Sequence, residues 1–411
     1  MNSDDINIHS LSNGMTLVAQ TMQDVSSAAF VFLTPAGVAY DPSGRTGTAN
    51  VLSELILRGA GSMDNRTLND RLDGLGLQRH GSVGCLHTCL GGALVGDNLL
   101  AAIELYSEIL CRPTLAESQF ELCRELSLQV LASLEDDPRQ KIALLAHERY
   151  LPEPFGRPSP GKRQELQALT LGDLKNNWSE RYRPDGTILA AAGNVDFGSL
   201  VDMVERCFGA WQGSTDSESE AGPVRIEAHH QHHDGAQVHI AVLYPSVSYA
   251  DSDYYRALAA VAVLSGGMGS RLFTEVREKR GLCYAVGANH RVIGPYAAIQ
   301  CYVGSSPEQA QEAVDVLLAE LKKLPDGISQ DELDRARVGL KASLIMSGES
   351  TGARAMACAG DYYHLGRVRS LKEIEKAINE LTVDDVVEHV RRYRPADFAV
   401  TTLGPTELKT S

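Results

Sequence analysis

Residues 46–61 read TGTANVLSELILRGAG, and the helix they predict decides the fold and the candidate chemistry together. Val51, Leu52, Leu55 and Ile56 recur at helical spacing, Thr48 stands where a capping hydroxyl is wanted, and Gly59 and Gly61 follow the last apolar residues. The expectation is a buried, capped helix. Asn50, Ser53 and Glu54 stand at i, i+3 and i+4, so they share one face and can converge on a point. A polar trio on an otherwise apolar helix marks a candidate site.

Composition narrows the functions this helix can serve. A chain of 411 residues has room for two domains, each burying its own core. An apolar fraction of 43% and a charged fraction of 22% describe a globular protein rather than a disordered or membrane one. The formal charge of −15 argues against nucleic acid and against an anionic membrane surface, because phosphate binding rests on an excess of Lys and Arg. Basic peptides are compatible guests. The opening MNSDDINIHSLSNGM has neither a basic nor an apolar leader region, and no run approaches the roughly 18 apolar residues of a membrane span. A cytoplasmic location is the expectation. The cysteines at 85, 89, 111, 123, 207, 283, 301 and 358 include no CxxC pair and read as reduced thiols, with Cys85 and Cys89 as core residues.

Outward from the opening helix, residues 7–22 and 27–40 alternate around Asn13-Gly14 and read as a strand pair. A short helix is expected over 66–75, strands over 78–95, helices over 97–110 and 116–150, a helix over 169–182, and a strand over 187–192. Residues 213–236 begin Ser-, Glu- and Gly-rich and contain His229, His230, His232 and His233. They read as a linker with solvated imidazoles, between domains 1–212 and 237–411. A strand over 238–244 and helices over 253–265, 307–323, 329–345 and 371–391 complete the second half. Leu169-Thr170 through Arg181-Tyr182-Arg183-Pro184 to Gly193 is matched by Leu381-Thr382 through Arg392-Tyr393-Arg394-Pro395 to Gly404. Helix, Tyr-Arg-Pro turn, strand and Gly recur in one order, so the chain holds two copies of one α+β fold.

The 46–61 helix, the Pro154–Gly161 turn, both Tyr-Arg-Pro tracts and SGGMGSRLFTEVREKRGLCYAV at 265–286 together resemble the insulinase/pitrilysin (M16-type) zinc peptidases over nearly the whole chain. The resemblance implies two homologous α/β-sandwich domains and a second such chain closing around a peptide chamber. In that family an inverted zinc motif sets His, Glu and His where this chain has Asn50, Ser53 and Glu54. Asn is a poor zinc ligand, and Ser53 cannot take a proton from water near neutral pH. The family's third ligand, a Glu, would fall near the apolar Val130 and Leu131, with Glu125 and Glu135 on either side. A shifted centre would need Glu54 to meet His80, His87 or His147 from unrelated segments, and an empty helix whose trio caps or hydrogen-bonds is the preferred reading.

The 265–286 segment reads differently. Gly266, Gly267 and Gly269 form a turn before a helix carrying Arg277, Gly281 ends it, and Tyr284 opens a strand. A guanidinium and a phenol can hold a peptide carbonyl by charge-assisted hydrogen bonds, and the resemblance implies that role for Arg277 and Tyr284. The glycines lack the Lys-Ser/Thr that would make a nucleotide cradle. Residues 80–90 are the expected strand edge for an extended guest. The expected function is a non-catalytic M16 homologue, with Arg277, Tyr284 and the glycine turn holding unfolded peptides. No cofactor is expected in this chain, zinc belonging to a homologous partner subunit. A structural self-dimer is the alternative, and an active peptidase with atypical ligands a third.

Overall fold

The computed structural model describes residues 5–214 and 221–409. In chain order, β1 (Asp5–Ser10), β2 (Thr16–Thr21) and β3 (Ser27–Thr34) precede α1 (Thr48–Leu55) and the short pair β4 (Gly59–Ala60) and β5 (Met63–Asp64). Next come α2 (Asn65–Gly74), β6 (Gln78–Val83), β7 (Thr88–Val95), α3 (Leu99–Cys111), α4 (Glu117–Ser133) and α5 (Pro138–Tyr150). The first half ends with α6 (Arg163–Gln167), α7 (Leu171–Arg181), β8 (Ile188–Gly193) and α8 (Phe197–Phe208). The second half runs β9 (Ala228–His232), β10 (Val238–Pro245), α9 (Tyr254–Ser265), a wide helical turn at Phe273–Glu278, β11 (Ala285–Ile293) and β12 (Tyr296–Ser305). It closes with α10 (Ala310–Lys323), α11 (Gln330–Glu349), α12 (Thr351–Leu365), α13 (Leu371–Asn379), α14 (Val383–Arg392) and β13 (Ala399–Gly404).

Side-chain caps set many of these boundaries. Asp64, Asp137, Asp196 and Ser350 each accept a backbone N–H three residues on, starting α2, α5, α8 and α12. The internal repeat is written into the caps as well. Thr170 with Asp173 and Thr382 with Asp385 form the same reciprocal capping box at the starts of α7 and α14.

The sheets repeat too. One has the order β1-β2-β8-β3-β7-β6, the other β11-β12-β10-β13-β9. Read from opposite ends, β2-β8-β3-β7-β6 matches β9-β13-β10-β12-β11, with β2–β8 and β9–β13 parallel and the other neighbours antiparallel. Two homologous α+β units follow, as the repeated Tyr-Arg-Pro tracts predict.

The units are not simple chain halves. One comprises Met1–Ala132, Arg157–Ser219 and Met346–Leu371, the other Ser133–Gly156, Glu220–Ile345 and Lys372–Ser411. In the first, β3 is apolar on both faces. Ala28, Phe30 and Phe32 join the core with Tyr106 of α3, while Ala29, Val31 and Leu33 face Ala355, Cys358 and Ala359 of α12. In the second, Val238, Ile240 and Val242 of β10 pack toward α10, and α5 lies along β10 and β13. Each sheet thus takes one covering helix from the opposite half of the sequence, which the boundaries 1–212 and 237–411 do not provide for.

Other expectations change for local reasons. Residues 7–22 make a hairpin by themselves, turning at Asn13-Gly14, and only 27–34 of the next stretch is strand. The helix expected over 116–150 is two, because Asp137 caps and Pro138 begins a new one. The helix expected over 371–391 is likewise broken, by the Thr382 box. The expected linker contains β9, whose His230 Nδ1 lies 2.9 Å from Thr402 Oγ1; residues 215–220 of that linker are outside the described residues. The helix α12 was not expected.

An ion pair fixes the end of α12: Arg369 donates to both carboxylate oxygens of Asp361, at 2.6 Å from Nη2 and 3.2 Å from Nε, with both residues buried. Asp361→Ala leaves the guanidinium buried without its carboxylate and should cost about 3–5 kcal/mol. Denaturant titration followed by tryptophan fluorescence should show an early transition in this variant, and a much smaller loss in the double variant Asp361→Leu/Arg369→Met.

Candidate functional site

A carboxylate from outside α1 holds its start. Asp41, 3% exposed, accepts the backbone N–H groups of Gly47 and Ala49, each at 2.8 Å. Gly47 takes φ +92°, turning the chain so that those amides face the carboxylate. Thr48, expected as the capping residue, is already helical and donates its hydroxyl to Arg45 O at 2.6 Å. Arg157 donates to the carbonyls of Ala39 and Asp41. Burial, opposed by the two amides and by the Arg157 charge, pushes the Asp41 carboxyl up to about 7. Sequence reasoning missed Asp41; an Asp shortly before the Gly that opens a helix was the available signal.

The trio on α1 does not converge. Asn50 Nδ2 donates to the carbonyl of Ser159, whose own hydroxyl donates to Val83 O at 3.3 Å, so Asn50 ties α1 to a loop and to the end of β6. Ser53 Oγ is bound to Asn50 O at 2.8 Å, a bond inside the helix. Glu54 is exposed. These side chains do not fit zinc: one amide, one hydroxyl already donating to backbone and one carboxylate lack the imidazoles or thiolates of a tetrahedral site. Val130, near which a third ligand would fall, is apolar and 57% exposed, and Leu131 packs partly against the core. Glu125 is exposed and Glu135 pairs with Lys141.

A shifted centre fails as well. Among the described residues no three His, Cys, Asp or Glu side chains are grouped to hold a metal ion. His87 packs edge-on against Tyr363, with burial pushing its imidazole down to about 4, and His147 Nε2 is 3.1 Å from Gln300 Oε1. His80 lies on β6. The edge expected at 80–90 is narrower than that: β6, exposed along most of its length, ends at Val83, and Thr88–Leu90 belongs to the interior strand β7.

In the second unit, α9 ends at Gly266 N–H on Ala262 O, Gly267 takes φ +154°, and Ser270 closes the turn on Gly267 O. Helix resumes at Arg271 and widens to π geometry over Phe273–Glu278, a form that recurs at functional sites. Gly281 N–H bonds to Arg277 O and Leu282 N–H to Val276 O, which folds the chain back toward the strand. Tyr284 immediately precedes β11 rather than opening it, and its amide bonds to Gly304 O. Arg277 is exposed with its guanidinium 5.1 Å from the Phe273 ring centre, and Tyr284 is 69% exposed. Neither has an ion pair or side-chain hydrogen bond among the described residues. The neighbouring Arg271 is the opposite case: Glu332 grips it at 2.6 and 3.0 Å and is itself held down to about 2 by that contact.

Residues 168–340 match the family model described as the peptidase M16 inactive domain. Over that segment the chain is similar to the M16 peptidases. It is 23% identical to a protein of Rickettsia bellii named an uncharacterized zinc protease, over 98% of this chain and 99% of that one. A Bacillus subtilis protein of the same description is 24% identical, over 96% and 97%. The fold agrees with the crystal structure of a peptidase M16 inactive domain from Pseudomonas fluorescens, at TM-score 0.89 and 18% identity over 99% and 100% of the two chains. It also agrees with a chain of complex III2 from Candida albicans, at TM-score 0.86 and 17% identity over 98% and 96%.

The raised Asp41 gives this chain a stability that depends on pH. Its carboxyl binds a proton more tightly folded than unfolded, so its contribution is full below about pH 4 and is lost as pH rises toward 7, by up to about 4 kcal/mol. Asp41→Asn keeps the shape and one acceptor. Urea midpoints of this variant should vary less than wild type between pH 4 and 7, while at pH 4 it should be less stable by about 1 kcal/mol for the lost acceptor.

Proposed function

We propose that the chain is a non-catalytic M16 subunit that holds unfolded peptides through Arg277 and Tyr284 for a partner chain carrying an intact zinc helix. What carries this reading is the contrast between the two candidate sites. At α1, Asn50 and Ser53 are consumed by bonds to backbone carbonyls; beside the glycine turn, Arg277 and Tyr284 stand exposed with their polar groups unspent. A guanidinium that no carboxylate neutralises keeps its donors for a peptide carbonyl. Gly266, Gly267 and Gly269 let a guest backbone approach the turn closely, and the outward-facing β6 offers unpaired amides and carbonyls to an extended chain. A cytoplasmic compartment belongs to the same proposal, supported by eight cysteines that are all free thiols.

Mixing the purified chain with a zinc-bearing M16 chain from the same organism should raise hydrolysis of a quenched-fluorescent peptide well above that of the partner alone. Arg277→Ala should weaken peptide binding roughly 10- to 100-fold, the loss of a charge-assisted hydrogen bond, and remove most of that gain. A chain that dimerises with itself, binds no peptide and leaves the partner unchanged would be a scaffold instead.

A further inference from the structure

Beside the glycine turn lies a cavity of about 200 Å³, walled by Ala262 and Val263 of α9 and by Ala336 and Leu340 of α11. An apolar cavity of about 150 Å³ holds benzene, so this one has room for a phenyl or a branched aliphatic side chain. Glycine keeps it open. Gly339 sits inside α11, where glycine costs about 1 kcal/mol relative to alanine, and a Cβ there would meet nothing within 4 Å. No close approach of backbone explains that glycine, which is exposed and lines the cavity. A Cβ at Gly267 would likewise meet nothing within 4 Å, and Met268, next in the turn, is 78% exposed.

The lining also includes a cation. Arg335 of α11 is exposed and lies against the turn, its Nε 3.6 Å from where a Cβ on Gly269 would stand. It has no ion pair or side-chain hydrogen bond among the described residues. Glu332 also lines the cavity but does not compete for Arg335, being taken by Arg271 and by the amide and hydroxyl of Ser329. A cavity for one apolar side chain with an unneutralised guanidinium beside it matches a residue whose side chain and carboxylate spring from the same carbon. We propose that this pocket binds the C-terminal residue of a peptide, its large apolar side chain in the cavity and its carboxylate on Arg335. The proposal rests on the peptide-holding reading and adds to it which end of the guest is held, and by what.

The test uses the full chain and three N-terminally labelled octapeptides, identical except for ending in Phe with a free carboxylate, Phe amide, or Gly with a free carboxylate. Fluorescence anisotropy should show the Phe acid binding at least 10-fold more tightly than the other two. Arg335→Gln, at an exposed position, should erase the preference for acid over amide. Gly339→Leu, which fills the cavity and improves helix propensity, should erase the preference for Phe over Gly. Equal affinity for the three peptides, or a Phe preference that survives Gly339→Leu, overturns the pocket. If in that case Arg277→Ala still abolishes binding, the peptide-holding reading stands alone. If the C-terminal preferences hold while Arg277→Ala changes nothing, the pocket stands and the role given to Arg277 falls. Absence of binding by all three peptides overturns both.

Discussion

The fold depends on covering two sheets that are apolar on both faces. β3 shows why: side chains alternate across a strand, and here both alternating sets, Ala28-Phe30-Phe32 and Ala29-Val31-Leu33, are buried. A strand of that kind needs a layer on each side, and removing one exposes apolar area worth about 25 cal/mol per Å². The nearer helices of each half fill one side only. The other is filled by α12 in the first unit and α5 in the second, each supplied by the opposite half of the sequence. A chain cut in the 213–236 region would leave each fragment with a bare sheet face, so the repeat is a repeat of architecture and not of two self-sufficient pieces.

The same demand explains why α1 persists as a helix whatever its polar residues do. Val51, Leu52, Leu55 and Ile56 are at most 1% exposed, in contact with the core that includes Phe30 and Tyr106. Burying four such side chains is worth roughly 1.5–3 kcal/mol each, far more than the bonds made by Asn50 and Ser53. Packing holds the helix, and its polar face is free to change chemistry without disturbing the fold. The buried Asp41 at its start is a costly group, and the two N–H groups of Gly47 and Ala49 together with the Arg157 charge offset part of its desolvation.

Much of this was legible in the sequence, and the parts that were not share a cause. The spacing of apolar residues located α1, α3, α9 and α10, and the Leu-Thr to Tyr-Arg-Pro repeat located α7, β8, α14 and β13, because those signals are local. Which sheet a helix covers is not a local property: the small residues of α12 at 355, 358 and 359 show an apolar stripe, and nothing in them says that the partner is β3. β9 was hidden because a parallel edge strand bearing imidazoles carries no alternating pattern. At the candidate site, the sequence names residues but not how each is engaged. That Asn50 bonds to Ser159, that Arg271 is neutralised while Arg277 is not, and that Arg335 stands free beside a cavity all depend on segments distant in sequence.

The two arginines of the 271–278 helix show how a fold makes one guanidinium structural and another available. Arg271 lies on the side facing α11, where Glu332 takes two of its nitrogens and the carbonyl of Gly327 a third contact, so little of its hydrogen-bonding capacity is left. Arg277 follows after the helix has widened, and the group beneath it is the ring of Phe273. An aromatic face attracts and orients a cation without occupying its N–H donors, at a gain of about 0.5–1 kcal/mol in an exposed setting. A carboxylate in that place would hold the side chain more firmly and would also use up its donors. The ring restrains Arg277 and leaves its N–H donors facing solvent rather than a protein acceptor.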